Sequence, residues 1–172
     1  VWLWDDGGER YLDCYNNVAH VGHCHPAVTE AICRQTKRLN THTRYLHETV
    51  LDCAERLAAR CAPGLDTVMF ACSGTEANEL ALRIARVVTG ASGIIVTDHA
   101  YHGTSCSIAQ ISTEDCPPEH RGDHVETIPA PDPYRGPFAG ADAPTRFAAC
   151  VDEAVARLAA RGHRPAALIL DT

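Results

Sequence analysis

From residue 67 onward the sequence alternates between short apolar runs and longer segments of helical period. That alternation restricts the possible folds more than any other feature. T-V-M-F-A-C (67–72) reads as a short buried strand, Ser73-Gly74-Thr75 as a turn, and E-A-N-E-L-A-L-R-I-A-R-V-V as a helix ended by Gly90. I-I-V-T-D (94–98) is the next strand, followed by the loop H-A-Y-H-G and a helix near 105–111. A strand over 125–128 and the proline-rich loop P-A-P-D-P-Y-R-G-P come next. A helix over 144–161 then places Phe147, Val151, Ala154, Val155 and Leu158 on one face, with Gly162 as its stop. A-A-L-I-L-D closes as a strand. Strands separated by helices predict an α/β fold: a mostly parallel sheet with helices on both faces.

The first part of the chain has a different pattern. W-L-W and R-Y-L-D-C flank D-D-G-G-E, a turn rich in residues that tolerate positive φ, and predict a hairpin. The polar loop N-N-V-A-H-V-G-H-C-H-P follows, and Pro26 suits the first turn of a helix. In that helix Val28, Ile32 and Leu39 share a face; Val50, Ala54, Leu57, Ala58 and Cys61 do so in a second one that stops at Pro63-Gly64. The expected organisation is an N-terminal segment (1–48: hairpin, loop, first helix) and a partial α/β domain (49–172).

Composition narrows the function classes. A net charge of −7 and a pI near 5.7 supply no electrostatic footprint for nucleic acid or an anionic membrane. No apolar run approaches the ~18 residues of a transmembrane helix. The nine cysteines contain no C-x-x-C, and several lie on apolar helix faces, where a free thiol behaves as a small hydrophobe. Reduced thiols and a cytoplasmic location are expected. The chain opens on V-W-L-W-D-D without Met and closes on I-L-D-T just as a strand finishes, so it is expected to be a truncated piece that leaves an unpaired sheet edge and self-associates.

Ligands of open parallel sheets sit beyond the carboxyl ends of the strands. Those ends carry Cys72-Ser73-Gly74-Thr75, Asp98-His99-Ala100-Tyr101-His102-Gly103 and Asp171-Thr172. A strand running through S-G-T into a helix leaves free backbone N–H groups at the positive helix end, a site suited to a phosphate. Ser73 or Thr75 serving only as a helix cap explains the same residues. A Walker loop would need G-K-[ST], G-x-G-x-x-G does not occur, and Ala71 breaks the G-x-S-x-G elbow. Tyr101 could cover a flat heteroaromatic ring, with His102 supplying a hydrogen bond, or could simply pack on its own loop. Gly74, Thr75 and Tyr101 are expected to border one concave site.

Taken in order, these residues resemble the class III, ornithine-aminotransferase-like family of pyridoxal-phosphate (PLP) enzymes. The likeness runs from Y-L-D through G-H-x-H-P (22–26), S-G-T-E-A-N-E and D-H-A-Y-H-G to the terminal strand. The run N-N-V-A-H-V-G-H-C-H-P resembles the branch whose members eliminate phosphate from phosphoethanolamine or phosphohydroxylysine. The resemblance implies part of a fold-type I large domain, PLP as cofactor, amino-group transfer by aldimine chemistry on a small amine, and a homodimer. It implies that Ser73, Gly74 and Thr75 hold the cofactor phosphate, that Tyr101 stacks on the ring with His102 beside it, and that Asp171, where the family more often has Glu, helps orient the site. Asn17, His20, His23 and Tyr45 become substrate or interface candidates.

Two family residues lack a counterpart: the Asp that pairs with the pyridine nitrogen, and the Schiff-base lysine. The chain's only lysine, Lys37, lies opposite the apolar face of its helix as a solvated charge, so the piece alone is expected to be inactive. His20, His23 and His25 with Cys24 suggest zinc, but no second ligand group follows at regular spacing and no metal is expected. Two other classes compete: a hydrolase using Ser73 or a cysteine, and a non-catalytic binding or scaffold domain.

Overall fold

The structure is a computed structural model that describes residues 2–15 and 19–171. The chain divides into two compact units, Val1–Val68 and Met69–Thr172.

In the first unit, β1 (Trp2–Trp4) and β2 (Arg10–Leu12) pair antiparallel, with Leu3 opposite Tyr11. Asp5 builds the turn: its Oδ1 accepts from Glu9 N at 2.8 Å and its Oδ2 accepts from Tyr11 Oη at 3.1 Å. Helices α1 (Pro26–Arg38) and α2 (Glu48–Ala58) follow. Pro26 opens α1 as expected, and His47 caps α2 by accepting the Thr49 N–H. Neither helix has a buried residue. Lys37 is exposed in the last turn of α1.

The second unit is the expected parallel α/β layer. Among its described residues the sheet has the order β4-β3-β5, built from β3 (Gly93–Thr97), β4 (Val125–Ile128) and β5 (Pro165–Ile169), all parallel. Every residue of the central strand is buried, so its sequence shows no polar alternation, the signature of a strand covered on both faces. Side chains of successive residues point to opposite faces and supply two cores. Ile94 and Val96 join Leu82 of α3 (Gly74–Thr89) and Ile108 of α4 (Cys106–Ala109) on one side. Ile95 joins Ala154 and Leu158 of α5 (Ala143–Ala160) on the other, with Phe147, Val151 and Val155 packed against them, the same face the helical period selects. Helix α3 stops at Gly90, whose φ of 61° is the left-handed conformation of a C-cap that glycine adopts without a Cβ clash. Between Pro165 and Ala167 strand β5 carries one extra residue, Ala166, opposite the Gly93–Ile94 step.

One element differs from expectation. Residues 67–72 form neither a strand nor part of the core; Met69 and Phe70 are 62% and 51% exposed. The run has strand composition, but a strand is defined by its ladder, and among the described residues no neighbour pairs with it. It leads as open chain into α3.

Candidate functional site

Helix α3 begins with a reciprocal cap. Ser73 Oγ accepts the Glu76 N–H at 3.2 Å, and Glu76 Oε2 accepts the Cys72 N–H at 2.8 Å. Capping uses a lone pair of Ser73 and leaves its hydroxyl proton free to donate, so cap and anion ligand are compatible roles for one side chain. The N–H groups of Gly74 and Thr75 have no partner among the described residues, and a Cβ built on Gly74 would meet nothing within 4 Å. The helix therefore presents an open pair of donors at its positive end.

The loop after β3 is brought against this turn and held there. Thr75 packs on Gly103 so closely that a Cβ on Gly103 would overlap Thr75 Oγ1 and fall 2.8 Å from Thr75 Cβ. Asn78 Nδ2 donates to His102 O at 2.8 Å, and Ser105 Oγ donates to Glu79 Oε1. Buried Ser112 closes the loop from behind: its Oγ accepts from His102 N at 3.0 Å and Gly103 N at 3.1 Å, and donates to Gly103 O at 2.8 Å. Thr113 Oγ1 accepts from Ala100 N at 2.9 Å and donates to Thr97 O at 2.8 Å. The eight residues of irregular backbone between β3 and α4 (98–105) are thus held by side chains from α3 and from the segment after α4.

Tyr101 and His102 emerge from this frame at the carboxyl edge of the sheet, the edge that also carries the α3 N-terminus. Tyr101 is 51% exposed. His102 Nε2 is buried and has no hydrogen-bond partner among the described residues. Burial pushes the His102 imidazolium below its ordinary pKa, opposed by the nearby Asp171 carboxylate. Asp171, two residues beyond β5, is exposed at the same edge. An open groove of about 760 Å³ runs beside the turn along α3, lined by Thr75, Glu76, Glu79, Leu80, Arg83 and Ser105 among others.

Ser73, Gly74, Thr75, Tyr101, His102 and Asp171 therefore share one unit. His20, His23 and Tyr45 belong to the other, all exposed, with Tyr45 stacked on His42 at 5.2 Å between ring centroids. Asn17 lies outside the described residues. Among the described residues no three His, Cys, Asp or Glu side chains converge as metal ligands, and no helix is long and apolar enough to cross a membrane.

Asn78, Ser112 and Thr113 escaped the sequence reading. Asn78 had a signal, since it stands four residues after Gly74 and so on the same helix face. Ser112 and Thr113 had none, because their partners lie 9 to 16 residues away along irregular chain.

A parallel sheet covered by helices on both faces, with a helix N-terminus and an aromatic–histidine loop at its carboxyl edge, makes this unit an α/β domain with a candidate anion site. The sequence profile of the aminotransferase class-III family matches residues 1–172. A Drosophila melanogaster relative named alanine–glyoxylate aminotransferase 2-like is 38% identical over 99% of this chain and 36% of its own length. Ethanolamine-phosphate phospho-lyase homolog 1 of Caenorhabditis elegans is 42% identical over 82% of the chain and 31% of its own length. Among solved structures, an Arthrobacter phospholyase in complex with phosphoethanolamine superposes with a TM-score of 0.83 at 44% identity, covering 99% of this chain and 41% of that protein. An amine transaminase from an uncultivated Pseudomonas species in its PLP-bound form gives 0.72 at 26% identity, covering 98% and 42%. The chain belongs to the class III aminotransferase family. It spans between 31% and 42% of the length of these four proteins.

Proposed function

We propose that this chain supplies the phosphate-binding and ring-covering half of a PLP site in a class III enzyme acting on a small primary amine. The observation that carries the reading is the α3 N-terminus, with Gly74 and Thr75 N–H unpaired, held against a loop that presents Tyr101 and His102. The residues fit the cofactor. The open space over Gly74 accepts a phosphate, and Ser73 keeps a proton to donate. When bound, PLP supplies an electron sink that makes bonds at the amine's α-carbon labile. Gly74 and Thr75 neutralise the phosphate, Tyr101 covers one ring face and excludes water from it, and Asp171 biases the charge of His102.

Among amine substrates we favour one bearing a phosphate, with phosphate elimination rather than amino transfer. The support is the 44% identity to the phosphoethanolamine-bound phospholyase across nearly the whole chain, together with the run N-N-V-A-H-V-G-H-C-H-P. Transamination is the second reading, supported by the 38% identity to the alanine–glyoxylate aminotransferase 2-like protein. Residues 1–48 then serve as the substrate-side segment, and 49–172 as part of the cofactor domain. Asn17, His20, His23 and Tyr45 are assigned to substrate contacts or to the subunit interface of a homodimer. All nine cysteines are free thiols, which fits a reducing compartment, the cytoplasm in our reading.

Lys37 is exposed on α1 and is not the covalent anchor. The 172-residue chain should therefore bind PLP through phosphate contacts and stacking without a specific lysine adduct, and should show no turnover alone. Equilibrium titration with PLP reads the binding, which Thr75→Glu is expected to abolish and Lys37→Ala to leave intact, and borohydride trapping with peptide mapping reads any lysine adduct. Stoichiometric, saturable labelling of Lys37 with turnover would refute the assignment. Release of inorganic phosphate from phosphoethanolamine by the full-length enzyme, without a 2-oxo acid acceptor, separates elimination from transfer.

A further inference from the structure

The functional reading above uses the carboxyl edge of the sheet; the opposite edge carries a cluster it does not use. Three turns meet there: Ser92 before β3, Asp123 and His124 before β4, and His163 and Arg164 before β5. His163 bridges them, with Nδ1 3.0 Å from Ser92 Oγ and Nε2 3.2 Å from Asp123 Oδ1. The His124 ring meets His163 edge to face at 6.2 Å between centroids. Gly122 makes room for it, since a Cβ there would lie 2.5 Å from His124 ring atoms and 2.7 Å from Gln110 Oε1.

Hydroxyl, imidazole and carboxylate stand in the order of a charge relay. The Asp123 side chain is 76% exposed, however, and Ser92 faces water too, so the series tethers the turns and does not prime a nucleophile. The charged groups around the two imidazoles are predominantly cationic. From α3 comes Arg86, which acts on His124. From α5 comes Arg161, whose Nε donates to Asp123 O at 2.8 Å while its Nη2 pairs with Glu126 of β4. From the turn before β5 comes Arg164, directed at Thr89 O. Asp123 is the carboxylate that faces the pair, and Gln110 of α4 is neutral.

We infer that this edge is a proton-operated clasp: a neutral His124 beside the His163–Asp123 pair holds the starts of β3, β4 and β5 together, and charging His124 loosens the start of β5. Asp123, the carboxylate that faces the pair among the described residues, is engaged by His163, so an imidazolium at His124 would be held beside Arg86 against like charge. Burial first, then Arg86 and His163, push His124 below its ordinary value, with Asp123 opposing. The neutral form is therefore favoured in the fold, and the clasp is tight above about pH 6.5 and weakens as the pH falls below it. The start of β5 is the element that gives way. Gly93 N binds Arg164 O at 2.8 Å directly beside His163, and the extra residue Ala166 interrupts the ladder at the next step. The far end of β5 leads to Asp171, which acts on His102, so loosening β5 reaches the other edge.

Hydrogen exchange by mass spectrometry on the full chain tests the clasp, with rates corrected for intrinsic pH dependence. Between pH 7.5 and 5.5, peptides spanning 162–170 should lose protection about threefold or more, while peptides from the middle of α5 hold theirs. In His124→Gln, which cannot charge, that loss should disappear. In Asp123→Asn, which keeps an acceptor for His163 and removes only the carboxylate charge, 162–170 should stay protected at pH 7.5 and lose at least as much protection as the wild type at pH 5.5. Equal protection of 162–170 at both pH values in the wild type, or a full acid loss retained in His124→Gln, would overturn the inference. If His124→Gln does not fold, unchanged protection of 162–170 at pH 5.5 in Asp123→Asn would overturn it by itself.

Discussion

Gly103→Ala should be among the most damaging single-methyl additions in the second unit. Its φ is +132°, a region L side chains rarely adopt, which costs about 1–3 kcal/mol by itself. The new Cβ would overlap Thr75 Oγ1 and lie 3.0 Å from Thr75 Cα, a backbone atom of α3 that cannot rotate away. Retreat of the loop would break its bonds to buried Ser112 or to Asn78, and one such loss costs about 1 kcal/mol or more. The sum is about 2–4 kcal/mol of stability. Urea denaturation of the full chain reads it directly as a shift in midpoint at constant slope. A double-mutant cycle with Thr75→Gly separates the two causes: relieving the overlap should return about 1 kcal/mol or more as coupling, while the φ strain remains. A loss below about 0.5 kcal/mol, with PLP affinity unchanged, would show that the loop is not clamped to α3 as described.

Three further outcomes follow from the same geometry. Ser73→Ala should cost about 1 kcal/mol through the lost cap, whereas Ser73→Asp should retain the cap and still lose PLP affinity by charge repulsion, as seen in parallel denaturation and binding titrations. Leu158→Ala, at a fully buried position of α5, should cost about 2–5 kcal/mol in a urea melt. His102 has its folded pKa lowered by burial, so the unfolded chain binds more protons just below about pH 6.5; stability should fall on acidification through that window, and His102→Gln should flatten this part of the stability–pH curve.

The second unit was legible wherever a residue's role follows from its neighbours in sequence. The α5 face, the Gly90 stop and the span of β4 depend on local period and backbone chemistry, and all three stand where the pattern put them. The run 67–72 failed for the complementary reason. Its composition favours a strand, but pairing needs a partner that no local pattern can supply, and none of the described residues provides one. The site divides along the same line. The S-G-T turn is a local motif: helix-end physics marks it as either a candidate anion site or a cap, and the cap is present. The clamp that aims Tyr101 and His102 is made by Asn78, Ser112 and Thr113, whose polar side chains look like ordinary surface residues until the chain folds back. Family resemblance, not periodicity, supplied the identity of the cofactor.

Ala166 has a consequence for length variation. The ladder partners of β3 step from Pro165 to Ala167, so Ala166 is extra to the pairing. A relative lacking one residue here would keep Ala167 opposite Ile94 and Ile169 opposite Val96, and would carry Asp171 to the same place. Loss of a residue from 168 to 170 would instead invert the faces of the strand beyond it and draw Asp171 back by about 3.3 Å, one residue's rise. Insertions and deletions that spare the site should therefore collect at 166 and in the turn before it. That position serves as the slack in a strand otherwise held to a strict count.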